Sequence, residues 1–198
     1  MKNVLIDQSS EYDCGPTSMV NAIRFLFDRE EIEPGVLKHI WMMGIDTYCE
    51  KGHVGKHGTS VASMRYMADW LEAYGKGHQF PVEADFLSEN ACVLEPGSRP
   101  WTWMEKGGCI VMRCHTAEIP HYVLLTGLLE NGEVGLYDPY WEEPVFTEPG
   151  IRVVEGEPKK MNRAVRYDLI NRTDEKQDYA MGPMEKRDMV LVRRRADA

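Results

Sequence analysis

Cys14 stands directly before Gly15 and Pro16, and Met19, Val20, Ile23, Phe25, Leu26 and Phe27 follow at helical spacing. Proline suits the first turn of a helix, where its missing N–H is not needed. The pattern predicts a helix over about 16–28 with Cys14 at its mouth. Free N–H groups and the dipole at a helix N-terminus favour a thiolate over a thiol, and a neighbouring imidazolium adds to that effect. The thiolate is the nucleophilic form. Gly15 is small and Pro16 rigid, so both leave the sulfur approachable. Taken alone, the residue has a plainer alternative, a small apolar side chain packed at a helix end.

A thiolate nucleophile needs a base, and the base needs an orienting group. His121 follows Pro120 and opens the apolar run ending at Gly127, while Asp138 closes the next apolar run just before Pro139. Asn131-Gly132 is a strong hairpin signal, joining 121–129 to 133–138. In a hairpin centred there, residues near 125 face residues near 137–138. His121 and Asp138 are then close but not paired, and an unequal loop, a bulge or side-chain reach must join them. Acyl transfer also needs donors aimed at a developing oxyanion; the Gln8 side-chain amide and the Cys14 backbone N–H are the candidates. The plainer alternatives are a hydrogen-bonded structural histidine at 121, a turn aspartate at 138 and a surface glutamine at 8. His115, beside Cys114, is the second-choice base, although Thr116 and Glu118 suggest that it sits in a loop.

Read in order, Gln8, Asp13-Cys14-Gly15-Pro16, the run from His121 to Gly127 and Tyr137-Asp138-Pro139 resemble peptidase family C39, the bacteriocin-processing double-glycine leader peptidases and their stand-alone relatives. The glutamine lies 6 positions before the cysteine and the aspartate 17 after the histidine, as in that family. The resemblance implies a papain-like fold, Cys14 as nucleophile, His121 as general base and acid, Asp138 as its orienter and Gln8 as oxyanion donor. It implies a peptide or protein substrate and no cofactor. It covers residues 8–139; residues from about 150 to 198 match nothing in it. No transporter membrane or ATP-binding region follows, so a stand-alone form is expected and a double-glycine cleavage site rests on the resemblance alone.

Other reactive side chains have plainer readings. Cys49, His53 and His57 form a Cys-x3-His-x3-His cluster, with His39 a possible neighbour, but they lie in a glycine-rich stretch without a second zinc-type pair. A mobile loop bordering the cleft is preferred to a metal site. Trp101 and Trp103, after Pro100, suit core and rim better than a substrate groove. Cys109 and Cys114 lie on an expected strand and read as buried, inert thiols.

The positioning elements follow from periodicity and punctuation. A second helix is expected after Pro34, a loop over 44–58, a third helix from Thr59 or Ser60 to Gly75, a strand near Phe80–Phe86 and a short helix from Pro100. Strands are expected at 109–114, 121–127, 133–137, 145–146, 163–170 and 189–193, with 171–187 a mobile or variable loop. Helices first and an antiparallel sheet afterwards make an α+β layout, with N-terminal helices packed on a C-terminal sheet in a single domain over 1–198.

The chain has 198 residues, 43% of them hydrophobic, 28% charged, and a net charge of −9. That length supports a core without staples, and the acidic balance argues against a nucleic-acid partner. The apolar start, Val4 to Ile6, is too short for a signal peptide, and no run approaches a membrane span; a cytoplasmic location without membrane insertion is expected. Five cysteines are an odd number, so at least one thiol stays unpaired within the chain.

Three functions fit. The preferred one is a thiol-dependent peptidase working through a Cys14 thioester. An acyltransferase or transglutaminase-like enzyme would use the same site with a different acceptor. A non-cleaving peptide-binding module is the third, disfavoured by the presence of Cys14.

Overall fold

A computed structural model describes residues 3–44, 51–53, 57–141, 145–146 and 148–196. Among these residues, five α-helices are α1 (Cys14–Leu26), α2 (Pro34–Met42), α3 (Val61–Gly77), α4 (Arg99–Glu105) and α5 (Tyr167–Ile170). Seven strands are β1 (Val82–Ser88), β2 (Cys109–Thr116), β3 (Ile119–Leu128), β4 (Glu133–Tyr137), β5 (Ile151–Val153), β6 (Arg163–Arg166) and β7 (Asp188–Arg194). They form one sheet in the order β1-β7-β2-β3-β4-β6-β5, and every pair is antiparallel. The architecture is α+β, with helices packed on a seven-stranded antiparallel sheet.

The helices begin where the local chemistry predicts. Ser60 caps α3 by accepting the Ser63 N–H at 3.2 Å, which satisfies one of the orphan donors of a first turn. Ser98 does the same for α4 through Trp101 N–H, and Pro100 occupies its first turn. In α1 every residue from Cys14 to Ile23 is buried, so this helix runs through the interior rather than along a surface.

Two apolar layers flank the sheet. On one face α1, α2 and α3 bury Met19, Ile23, Ile40, Met64, Met67 and Leu71 against Val111, Leu124 and Val190. On the other, Trp103 and Met104 of α4, Leu169 and Ile170 of α5, and Tyr179 and Met181 pack on Met112, Val123, Leu125 and Leu136. Alternation along β3 divides its residues between the layers, as a pleated strand with two buried faces requires.

Several expectations are corrected. The strand expected near Phe80–Phe86 forms as β1 but begins at Val82, and it pairs with the last strand, Val82 opposite Arg194. Helices cover both faces. The stretch 163–170 is a strand only to Arg166 and then turns into α5, and residues 145–146 belong to no strand. The stretch 171–187 is not a mobile loop: Tyr179, Ala180, Met181 and Arg187 within it are buried. Arg187 is tied down by donating to the carbonyls of Gly182, Cys92 and Asn171.

Candidate active site

Cys14 is the first residue of α1 and only 5% exposed. The segment before it is folded back by Asp13, whose carboxylate accepts from the backbone and hydroxyl groups of Ser9 and Ser10 at 2.6–3.1 Å. Burial raises the Asp13 pKa, but these donors outweigh it and hold the carboxyl below its ordinary value. The Asp13 side chain therefore caps no N–H of α1. Glycine is needed at position 15, because a Cβ there would lie 2.6 Å from the Thr59 Cβ. One turn on, Ser18 donates its hydroxyl to the Tyr122 carbonyl at 3.0 Å, a buried bond between α1 and β3. Residues i and i+4 share a helix face, so the bond fixes the Cys14 face of α1 beside the strand that carries His121.

His121 and Asp138 meet because of one irregularity. Near the hairpin turn, Leu128 pairs with Val134 and Gly127 with Gly135; beyond Thr126, Leu125 pairs with Leu136 and Leu124 with Tyr137. Thr126 is an extra residue in β3, and its hydroxyl donates to the Gly135 carbonyl at 3.1 Å. A one-residue change of register moves side chains to the opposite face. Continued without the bulge, the pairing would set Asp138 across from Leu124, on the face away from His121. With it, Asp138 falls across from Val123, on the His121 face and diagonally adjacent, within side-chain reach. His121 Nε2 donates to Asp138 Oδ1 at 2.7 Å. The turn itself follows the Asn131-Gly132 signal: both residues have positive φ, 59° and 74°.

Asp138 is 4% exposed and fully engaged. Its Oδ1 also accepts the Tyr140 N–H at 2.9 Å, and its Oδ2 accepts the Tyr179 hydroxyl at 2.9 Å. Its backbone is clamped by Asn162, which accepts the Asp138 N–H at 2.8 Å and donates to its carbonyl at 2.7 Å. Burial alone would raise the carboxyl, but the His121 charge and these donors keep it below its ordinary value.

His121 is 7% exposed. Burial pushes its pKa down, but the Asp138 charge, the Cys14 thiolate and hydrogen bonds to both raise it from the ordinary 6.5 to about 10. Since Nε2 is committed to Asp138, Nδ1 is the nitrogen available to Cys14. The imidazole thus lies between sulfur and carboxylate, in the order that a nucleophile, base and orienter require.

Gln8 reaches the same place from the N-terminal segment. Asn3 donates to the carbonyls of Arg24 and Phe27, and Asn21 exchanges two 2.9 Å bonds with the backbone of Ile6. The segment therefore runs antiparallel along α1, and Gln8 arrives near the helix mouth. Its N–H donates to the Pro139 carbonyl at 2.8 Å, beside Asp138. Its Nε2 donates one proton to the Ser10 carbonyl at 2.8 Å; the second proton remains for another acceptor.

The remaining residues separate from this cluster. His115 is buried, and its Nδ1 donates to the Ala180 carbonyl at 3.3 Å, with Glu175 at 3.6 Å from Nε2. Cys92, Cys109 and Cys114 are buried free thiols. Burial raises Cys92 to about 12 and pushes Cys109 and Cys114 well up. Cys49 lies outside the described residues. His53 and His57 have ring centroids 6.5 Å apart, and no cluster of three or more metal-ligating side chains occurs among the described residues. Trp103 is buried in the core; Trp101 is half-buried and packs edge-on against Tyr167.

Nothing in the residue pattern marked Ser18 or Asn162 as parts of the site, and Tyr179 was not singled out either. Only Tyr179 had a signal: Tyr179-Ala180-Met181 is an apolar triplet inside a charged run.

No family model matches the chain, and no curated protein does. Two solved structures are similar to it at TM-score 0.42, covering 96% of this chain and 98% of theirs. One is the peptidase domain of Streptococcus mutans ComA, at 14% identity. The other, at 15% identity, is the peptidase domain of a Streptococcus ComA, described as a bi-functional ABC transporter involved in a quorum-sensing pathway. No helix among the described residues is long and apolar enough to cross a membrane.

Proposed function

We propose that the protein is a thiol-dependent peptidase that hydrolyses a peptide or amide bond through a Cys14 thioester. One observation carries the reading: a buried His121 held on Asp138 at 2.7 Å, with the Cys14 sulfur close enough to raise its proton affinity. The Cys14 thiolate attacks the acyl carbon, and the carbonyl electron pair moves to oxygen. The Cys14 N–H and the free Gln8 Nε2 proton face that oxyanion. As the C–N bond breaks, imidazolium His121 gives its Nδ1 proton to the leaving amine. Water then adds to the thioester while His121 takes its proton, and the acid leaves as the thiolate reforms. Asp138 keeps Nε2 protonated and stabilises the imidazolium without itself taking the proton. A papain-like arrangement belongs to this reading, with the nucleophile on a helix mouth and the base on a strand.

The test is alkylation by iodoacetamide followed by peptide mass mapping. Cys14 is labelled first, and His121→Ala slows it severely while the other cysteines are unaffected. Equal labelling of all cysteines, indifferent to His121→Ala, refutes the site. Turnover of a peptide library, lost in Cys14→Ala, identifies the reaction; acyl transfer to an added amine would move the assignment to an acyltransferase.

A further inference from the structure

The Asp138 carboxylate has two oxygens, and each is held from a different part of the chain. Oδ1 faces His121 and the Tyr140 N–H; Oδ2, among the described residues, takes the Tyr179 hydroxyl at 2.9 Å. Tyr179 is completely buried and lies 41 residues further along the chain.

The backbone of Tyr179 is unusual. Its φ is 63°, the left-handed region that a bulky side chain rarely adopts and that costs on the order of the strain seen at functional sites. Two backbone bonds hold it there: Tyr179 N–H donates to the His115 carbonyl at 2.7 Å, and His115 N–H donates to the Ala180 carbonyl at 2.9 Å. The ring packs against Phe146, centroids 5.6 Å apart. His115 sits on β2 next to Cys114, the residue directly opposite His121 in the sheet. Tyr179 is therefore pinned to the strand beside the base, and its hydroxyl is aimed at the oxygen that the base does not use.

We propose that Tyr179 is a positioning residue of the thiol site: its hydroxyl fixes the rotation of the Asp138 carboxylate and so holds His121 in line with Cys14. The proposal rests on the peptidase reading of the site. A carboxylate held at one oxygen can turn about its terminal bond, which is soft. The Tyr179 bond removes that freedom. It also helps keep Asp138 ionised, being one of the donors that hold the carboxyl below its ordinary value against burial. His115 is by this account part of the support rather than a rival base.

The test is the pH dependence of Cys14 alkylation by iodoacetamide in the parent, His121→Ala, Asp138→Asn, Tyr179→Phe and the double variant. Tyr179→Phe keeps the ring and removes one donor. It is expected to slow alkylation on the order of tenfold at pH 6, the size of one lost hydrogen bond to a charged group. Asp138 then takes up its proton at higher pH, so the acid limb of the profile moves upward. Added to Asp138→Asn, Tyr179→Phe is expected to change nothing further. If the parent and His121→Ala label alike, the peptidase reading itself fails. If His121→Ala is slow but Tyr179→Phe matches the parent, or multiplies with Asp138→Asn, the positioning role is refuted while the site stands. Should Tyr179→Phe unfold, the parent alone decides. A slowly exchanging Tyr179 hydroxyl proton in the NMR spectrum, with a nuclear Overhauser effect to the His121 ring, supports the proposal; its absence overturns it.

Discussion

Replacing Asp138 by Asn removes a charge while keeping the side chain's size and one acceptor oxygen. His121 gains its proton affinity from opposing causes: burial lowers it, and the Asp138 charge, the Cys14 thiolate and hydrogen bonds to each raise it, with the net rise from 6.5 to about 10. Asp138 supplies the larger charge effect and the larger hydrogen bond, hence at least half of the upward pull. A fall of about half that gap corresponds to roughly 50-fold in proton affinity, at about 1.4 kcal/mol per pKa unit. The thiolate–imidazolium pair exists only while His121 holds the proton, and the parent holds it up to about pH 10. In Asp138→Asn that proton is therefore expected to leave at about 50-fold higher proton concentration than in the parent. The measurement is the pH titration of the His121 ring protons by NMR, with circular dichroism to establish that the variant is folded. A folded Asp138→Asn whose midpoint lies within about twofold of the parent in proton concentration refutes the reasoning, because twofold is under 0.5 kcal/mol.

Gln8→Ala separates binding of an oxyanion from activation of the sulfur: peptide turnover is expected to fall about 100-fold, while iodoacetamide alkylation, which forms no oxyanion, keeps its rate. Equal losses in both would remove Gln8 from the oxyanion site. Ser18→Ala breaks the buried bond to the Tyr122 carbonyl and is expected to lower stability by about 1–3 kcal/mol in urea titration, since it leaves a buried acceptor unmet. Alkylation should slow with it if that bond aligns Cys14 with β3. Asp188, 1% exposed and bonded to the Tyr122 hydroxyl at 2.8 Å, is raised by burial from 3.8 to about 6 against the pull of Tyr122 and Arg113. A carboxyl raised in the folded state contributes stability that is full below its unfolded value and is lost as the pH rises through about 6. Asp188→Asn keeps the acceptor, so its stability relative to the parent should improve between pH 4 and pH 8 by on the order of 3 kcal/mol. No change in that difference across the range would show that Asp188 is not buried as an acid.

The sequence by itself determined the parts. Proline at position 16 and the apolar spacing after it set a helix start at Cys14, because a residue without an N–H fits only the first turn. Asn131-Gly132 fixed where β3 turns back, since both residues tolerate positive φ. The apolar runs marked β2, β3 and β4, and residue chemistry singled out Cys14, His121, Asp138 and Gln8. Only the tertiary structure decided how they meet. Whether Asp138 shares a face with His121 depends on the parity of a pairing, which the extra residue Thr126 changes by one, and both faces of β3 are buried and apolar, so hydrophobic alternation cannot report that parity. The same limit hid β1 beside β7, a pairing across about 100 residues whose closure no local pattern records. It hid Asn162 and Tyr179 as well, whose side chains matter only because the chain returns them to Asp138, where a buried carboxylate must have its lone pairs met.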